Sequence, residues 1–87
     1  MMYVKQNTSV CDIYLIMEIA KIVGQNIKIA RKLKGLTQTQ VALILHMTQQ
    51  QYSRFENGVF ELSYKQIVDI CNLLDTTPNE LFDFNQF

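Results

Sequence analysis

The chain has 87 residues, which is enough for one small domain. Hydrophobic residues make up 48% of it, with only three glycines and one proline, so the composition is typical of a compact helical domain and excludes a largely disordered chain. Eight basic and eight acidic residues give a formal net charge of zero, which argues against strong non-specific binding to polyanions.

An apolar N-terminal extension occupies residues 1–21. Residues 10–23 are apolar nearly all round if they are helical, but residues 13–19 also alternate in the manner of a strand. Periodicity alone does not decide between the two for so short an apolar run. Ser9 followed by Asp12 offers a helix start, so we favour a helix and keep a strand as the alternative. We expect this extension to contact a second copy of the chain or another protein.

Neither a membrane span nor a secretion signal is expected in this chain. The apolar run at residues 13–23 contains Glu18 and Lys21 and is too short to cross a bilayer. The N-terminus lacks the basic segment and the small-residue cleavage site of a signal peptide. We therefore expect a cytoplasmic protein in which Cys11 and Cys71 are reduced thiols.

A helix is predicted at residues 22–34, where apolar residues recur at helical spacing. Gly35 follows it, and glycine commonly ends helices because it adopts the left-handed backbone conformation without steric cost. Four of the apolar residues in this helix are expected to face inward: Ile22, Ile29, Ala30 and Leu33.

Four later helix starts match the capping box, in which a Ser or Thr hydroxyl accepts from the peptide N–H three residues on and the Glu or Gln there reaches back. The boxes are Thr37 with Gln40, Thr48 with Gln51, Ser63 with Gln66, and Thr77 with Glu80. They predict helices at about residues 37–45, 48–57, 63–74 and 77–82. With the helix at 22–34, these make an all-α fold of five helices behind the apolar extension. The late aromatic residues are expected to pack against the last helices: Tyr64, Phe82, Phe84 and Phe87.

The helix predicted at residues 48–57 has an apolar side and a polar side. At 100° per residue, Tyr52 and Phe55 fall together on the apolar side. The polar residues on the opposite arc are Gln49, Gln50, Ser53, Arg54 and Asn57. Gln can pair with adenine and Arg with guanine in the major groove, and the first turn of a recognition helix points at base edges. A solvated surface explains any one of these side chains, whereas the whole set favours contact with DNA.

The distribution of charge is compatible with this interpretation. Residues 24–58 hold five basic residues and one acidic residue, and the rest of the chain holds three basic and seven acidic residues. A neutral chain with a basic half can still dock on phosphate groups.

Residues 22–83 resemble the helix-turn-helix domains of the lambda-repressor/Cro-like family, also called the xenobiotic-response-element family of bacterial and phage regulators. The segments that carry the resemblance are IARKLKGLTQ at 29–38, VALIL at 41–45, SRFENG at 53–58, the helix at 67–74, and TPNEL at 77–81. The resemblance implies a sequence-specific DNA-binding transcriptional regulator, here expected to be a repressor. It would act as a homodimer on a palindromic operator in double-stranded DNA, with the helix at 48–57 in the major groove.

The resemblance also implies roles for matching positions. Base contacts are expected from Gln49, Gln50, Ser53 and Arg54. Phosphate contacts are expected from Gln38, Thr48 and Asn57. Apart from the resemblance, Lys28 and Lys32 are expected either to contact phosphate or to form a solvated face of the first helix. Arg31 is expected to form a structural ion pair with Glu56, and Gln51 to serve the cap. His46 stands where the family usually has Gly, and because His tolerates the left-handed conformation better than most residues, the turn should still form.

No catalytic, cofactor or metal site is expected. The single His and the two separated cysteines lack the spacing of zinc ligands. A Gly-rich phosphate loop and a supported Ser–His or Cys–His arrangement are also missing from the sequence, so an enzyme is not indicated.

Two alternatives stay open beside the repressor hypothesis. The apolar segment at residues 1–21 favours an antitoxin that binds a toxin partner and regulates its own operon. The zero net charge leaves room for a protein-interaction adapter that keeps the fold and does not bind DNA. The expected organisation is the extension, a DNA-binding domain at residues 22–83, and a short C-terminal tail at residues 84–87.

Overall fold

The computed structural model describes residues 9–83, with side chains from Leu15 onward. Its helices are α1 (Ser9–Leu33), α2 (Gln38–Ile44), α3 (Gln49–Glu56), α4 (Tyr64–Leu74) and α5 (Pro78–Phe82). The predicted all-α fold of five helices is therefore confirmed, and no strand occurs within residues 9–83. The predicted packing of Phe84 and Phe87 lies outside the described residues.

The apolar extension and the first predicted helix form one continuous helix, α1, which has no break at residues 21 and 22. The helical alternative for the extension is confirmed from Ser9 onward, and the strand alternative is wrong there. Three successive apolar residues of α1 remain exposed: Leu15 at 51%, Ile16 at 45% and Met17 at 51%. None of the described helices combines the length and apolar character that a membrane span requires.

Gly24 determines how closely α1 approaches α3. A Cβ atom at this position would lie 2.4 Å from the carbonyl oxygen of Phe55 and 2.5 Å from that of Glu56. A residue larger than Gly would therefore push the two helices apart. The close crossing turns Val23 and Ile27 toward the core, where they are 7% and 0% exposed.

Two of the four residues predicted to face inward from α1 do not. Ile29 is 48% exposed and Leu33 is 84% exposed, whereas Ile22 and Ala30 are half-buried. The reason is helical register: two residues along a helix turn the side chain by about 200°, so Ile29 lies opposite the buried Ile27.

The four predicted capping boxes all form. The hydroxyl oxygens of Thr37 and Thr48 each accept from the peptide N–H three residues on at 3.1 Å. Those of Ser63 and Thr77 do so at 3.2 Å. In each box the side chain at the third helical position also accepts from the peptide N–H of the cap residue. These bonds fix the start of every helix after α1.

The turn between α2 and α3 forms around His46, as predicted. His46 adopts a left-handed conformation with φ of 59°. The peptide N–H of Met47 then donates to the carbonyl of Ala42 at 2.9 Å. This turn sets the angle at which α3 leaves α2.

The core is formed by all five helices. Its buried apolar residues are Val23, Ile27, Val41, Ala42, Tyr52, Phe55, Ile70, Cys71, Leu74 and Leu81. Cys71 is a free thiol, and Phe82 packs against this core as predicted. The expectation that Tyr64 packs against the last helices is wrong, since Tyr64 is 90% exposed. It occupies the first position of α4, at the rim of the core.

Candidate nucleic-acid interface

α3 presents the predicted polar face to solvent. Its inner side is held by Tyr52, Phe55 and Glu56, which are buried. The residues of the polar face that are exposed are Gln49, Gln50, Arg54 and Asn57, while Ser53 is half-buried. Amide and guanidinium groups therefore lie together on the accessible side of a short, well-anchored helix.

An ion pair joins α1 to the inner side of α3. The Arg31 Nε donates to Glu56 Oε2 at 2.6 Å, and Nη2 donates to Oε1 at 3.1 Å, so the pair is bidentate. The Arg31 Nη1 donates to the carbonyl of Leu36 at 2.8 Å. The side chains of Arg31 and Glu56 are only 9% and 1% exposed. Such a buried, fully hydrogen-bonded pair holds two helices in one relative position.

A chain of amides extends from this ion pair to the surface. The Gln38 Nε2 donates to Glu56 Oε1 at 2.9 Å. The Gln49 Nε2 in turn donates to Gln38 Oε1 at 2.6 Å. The exposed amide of Gln49, one of the residues predicted to contact bases, is thus held in place by the buried pair. A phosphate contact by the Gln38 side chain would have to share or replace these bonds.

The protonation state of Glu56 follows from its surroundings. Burial pushes the pKa of Glu56 upward, but the hydrogen bonds from Arg31 and Gln38, together with the charge of Arg31 and the nearby Tyr52 hydroxyl, outweigh it, so the pKa is lowered overall. Burial is the main cause that raises the pKa of Tyr52, with Glu56 beside it adding to the effect. Although Tyr52 lies this close to Glu56, its hydroxyl has no partner within hydrogen-bonding geometry in the described part of the chain.

The other residues predicted to contact phosphate differ in how far their polar groups are already engaged in contacts within the protein. The Thr48 hydroxyl accepts the capping bond and keeps its own proton as a donor. The Asn57 Nδ2 lies 3.5 Å from the hydroxyl of Ser53. On α1, Lys28 is half-buried and Lys32 is exposed. The neighbouring Lys34 is ion-paired with Asp75.

One residue near the polar face was not predicted from the sequence. The guanidinium carbon of Arg54 lies 5.6 Å from the centre of the Phe60 ring. Phe60 is 49% exposed in the connection between α3 and α4. The sequence signal for this contact is weak, because it consists of an aromatic residue that follows the Gly58 turn.

An open cleft of about 1080 Å³ lies beside Arg54, between the end of α2, α3 and α4. Its lining includes Gln51 and Phe55 from α3 and Lys65 and Asp69 from α4. Among residues 9–83, no cluster of His, Cys, Asp or Glu is suited to hold a metal ion. The polar face of α3 offers hydrogen-bond donors and acceptors to a ligand.

The long helix α1 followed by four short capped helices, with a tight turn between α2 and α3, is typical of a helix-turn-helix protein, and the comparison with known families agrees. The sequence profile of a helix-turn-helix family matches residues 27–81. The chain belongs to the lambda-repressor/Cro-like helix-turn-helix family.

Individual relatives are similar over the same part of the chain. An uncharacterized HTH-type transcriptional regulator of Bacillus subtilis, YqaE, is 40% identical over 58 residues, which are 67% of this chain and 50% of the relative. An uncharacterized HTH-type transcriptional regulator of Rickettsia prowazekii, RP497, is 30% identical over 69 residues, which are 79% of this chain and 53% of the relative. The chain thus spans about half the length of the curated relatives it matches. No solved structure matches it at a significant level.

Proposed function

We propose that this chain is the DNA-binding part of a cytoplasmic transcriptional regulator that reads a specific operator with α3 in the major groove. The observation that carries the proposal is the exposed polar face of α3, whose Gln49 amide is held by the chain of bonds through Gln38 to the Arg31–Glu56 pair. A preorganised amide loses less conformational freedom when it pairs with a base edge. The relatives are named HTH-type transcriptional regulators, which supports the same role.

The proposed contacts divide into two sets. Base edges are read by Gln49, Gln50, Ser53 and Arg54. Phosphates are bound by Gln38, Thr48, Asn57, Lys28 and Lys32. The phosphate contacts set the register of the domain on the duplex, and the base contacts supply the specificity. Repression is the proposed outcome, because a regulator bound over a promoter excludes the transcription machinery from it.

We further propose that the protein acts as a homodimer on a palindromic site, because one domain of this kind reads only a half-site. The exposed apolar residues on α1 support this. Leu15, Ile16 and Met17 follow one another in the chain and therefore point in three directions around the helix. Exposed apolar residues spread over so wide a part of a helix surface are normally buried against a partner.

The same surface supports a second candidate, an antitoxin whose α1 binds a toxin and which represses its own operon. Co-purification of the chain with a partner that covers α1 would favour the antitoxin. A homodimer that buries Leu15, Ile16 and Met17 would favour the simple regulator. An adapter that does not bind DNA is a third outcome, and it would show no salt-dependent binding to any duplex.

The test is a selection of binding sites from a random DNA pool with the purified chain, followed by affinity measurements on the selected site. A recurrent palindromic sequence is expected, with an affinity that falls steeply as salt is raised. Arg54→Ala should weaken binding to that site by about 1–3 kcal/mol if the guanidinium reads guanine. Arg54→Lys serves as the matched control, since it keeps the charge and loses the bidentate geometry. Failure to enrich any sequence, with binding equal for all duplexes, would overturn the proposal.

A further inference from the structure

The contact between Arg54 and Phe60 joins the polar face of α3 to the following connection. The Arg54 guanidinium carbon lies 5.6 Å from the Phe60 ring centre, within the distance at which a cation is attracted to the face of an aromatic ring. Phe60 is 49% exposed and Arg54 is exposed, so this cation–π pair lies on the accessible surface of the domain.

A turn at Gly58 directs the backbone to the position of Phe60 beside Arg54. Gly58 has a φ of +73°, and a Cβ atom there would lie 2.7 Å from the Cα of Lys21 in α1. The turn is closed by the peptide N–H of Val59, which donates to the carbonyl of Arg54 at 2.9 Å. The backbone that leads to Phe60 is thus held between α1 and α3. It turns back toward Arg54, whose carbonyl oxygen accepts the bond from Val59.

We infer that Phe60 is a positioning residue that holds the Arg54 side chain ready to read a base, an inference that rests on the proposed function. A guanidinium held over an aromatic ring keeps the N–H groups that point away from the ring free to donate. Those N–H groups are the donors that pair with O6 and N7 of guanine. An exposed Arg without such a neighbour would lose more rotamer freedom when it binds. Phe60 touches the reading residue and need not touch the DNA.

Phe60 also lines a small apolar groove with Ile19, Leu62 and Phe82, so a purely structural role has to be separated from positioning. The measured quantity is therefore a ratio of two dissociation constants. One is for the selected site, and the other is for a site in which the base pair proposed to be contacted by Arg54 is changed. A general loss of stability lowers both affinities and leaves this ratio unchanged.

Phe60→Leu keeps an apolar side chain and removes the ring, and Phe60→Tyr keeps the ring as the matched control. Phe60→Leu should reduce the ratio by about two- to fivefold, the effect of an exposed cation–π contact. Phe60→Tyr should keep the wild-type ratio. In an Arg54→Ala background, Phe60→Leu should cause no further loss. An unchanged ratio in Phe60→Leu, or an equal loss without Arg54, would overturn the inference.

A second measurement does not require DNA. The side-chain protons of Arg54 should show an upfield ring-current shift in the NMR spectrum of the wild-type protein and of Phe60→Tyr, and the shift should disappear in Phe60→Leu. Absence of the shift in the wild type overturns the positioning role by itself. Specific DNA binding with an unchanged ratio in Phe60→Leu overturns this inference alone, whereas a wild type that binds no specific site overturns the proposed function with it.

Discussion

Arg31 and Glu56 are the charged residues that are buried within residues 15–83, and their side chains are 9% and 1% exposed. They are 25 residues apart in the chain and join α1 to α3. Removing two charges from water is costly, so the pair stabilises the fold only while both members are present and hydrogen-bonded. Its role is therefore to define the position of α3 more than to add net stability.

Arg31→Met should lower the free energy of unfolding by about 3–5 kcal/mol, because the carboxylate of Glu56 would remain buried without its main partner. Urea-induced unfolding followed by circular dichroism measures this loss. The double variant Arg31→Met with Glu56→Leu removes both charges and should recover much of the stability. A single variant as stable as the wild type would mean that water reaches Glu56.

The lowered pKa of Glu56 predicts a dependence of stability on pH. Because this pKa is lower in the folded chain than its ordinary value of 4.5, the ionised carboxylate favours the folded state. Its contribution is fully present above pH 4.5 and is lost as the pH falls through the lowered pKa of the folded state. Unfolding free energies measured from about pH 6 to pH 2 should therefore fall more steeply for the wild type than for Glu56→Gln. Parallel curves would contradict the assignment.

At the scale of helices, the crossing of α1 and α3 depends on Gly24 as well as on the ion pair. Both contacts involve the C-terminal part of α3, where the carbonyl oxygens of Phe55 and Glu56 face Gly24. The N-terminal part of α3 is held differently, by the Thr48 cap and by the bond from Gln49 to α2. The helix α3 is therefore fixed at both ends.

Gly24→Ala should destabilise the chain, although alanine normally favours a helix over glycine by about 1 kcal/mol. The added methyl group would meet two backbone carbonyls that cannot move independently, and such overpacking costs about 1–3 kcal/mol. Thermal unfolding measures the net effect. Gln25→Ala is the control, because it is the next residue of α1 and is exposed. It should change the stability by less than about 0.5 kcal/mol. A Gly24→Ala variant more stable than the wild type would show that the crossing is not tight.

At the scale of the whole molecule, the exposed apolar part of α1 has no explanation in the packing of a single domain. The described residues extend 41 Å along their longest axis. In α1, which has 25 residues, Leu15, Ile16 and Met17 have nothing packed over about half of their surface. If these residues were buried against a second copy of the chain, the assembly would contain two copies of α3, as binding to a palindromic operator requires.

Replacing both Leu15 and Met17 by Glu should convert a homodimer into a monomer, because charged side chains would have to be buried at the contact. Sedimentation equilibrium measures the change in mass, and a gel-shift titration measures the accompanying loss of operator affinity. Gln25→Glu is the control, since it adds a charge at an exposed position of the same helix. A wild-type chain that stays monomeric at all concentrations and still binds its operator fully would contradict this prediction.

The sequence by itself determined the features that depend on neighbours within one turn of the chain. Each capping box joins residues three positions apart, so Thr37, Thr48, Ser63 and Thr77 could be assigned as helix starts without knowledge of the fold. The same local periodicity placed Tyr52 and Phe55 inside and the polar residues outside. The family resemblance added the pairing of Arg31 with a distant Glu, which spacing alone does not reveal.

Only the tertiary structure decided which face of α1 turns inward and which groups surround Gln49 and Arg54. The inward face depends on the carbonyls of α3 that meet Gly24, and this contact spans more than 30 residues of sequence. The bond from Gln49 to Gln38 and the cation–π contact of Arg54 with Phe60 likewise require separate elements to meet in space. Such contacts are made by packing between helices, and packing leaves no local pattern in the chain.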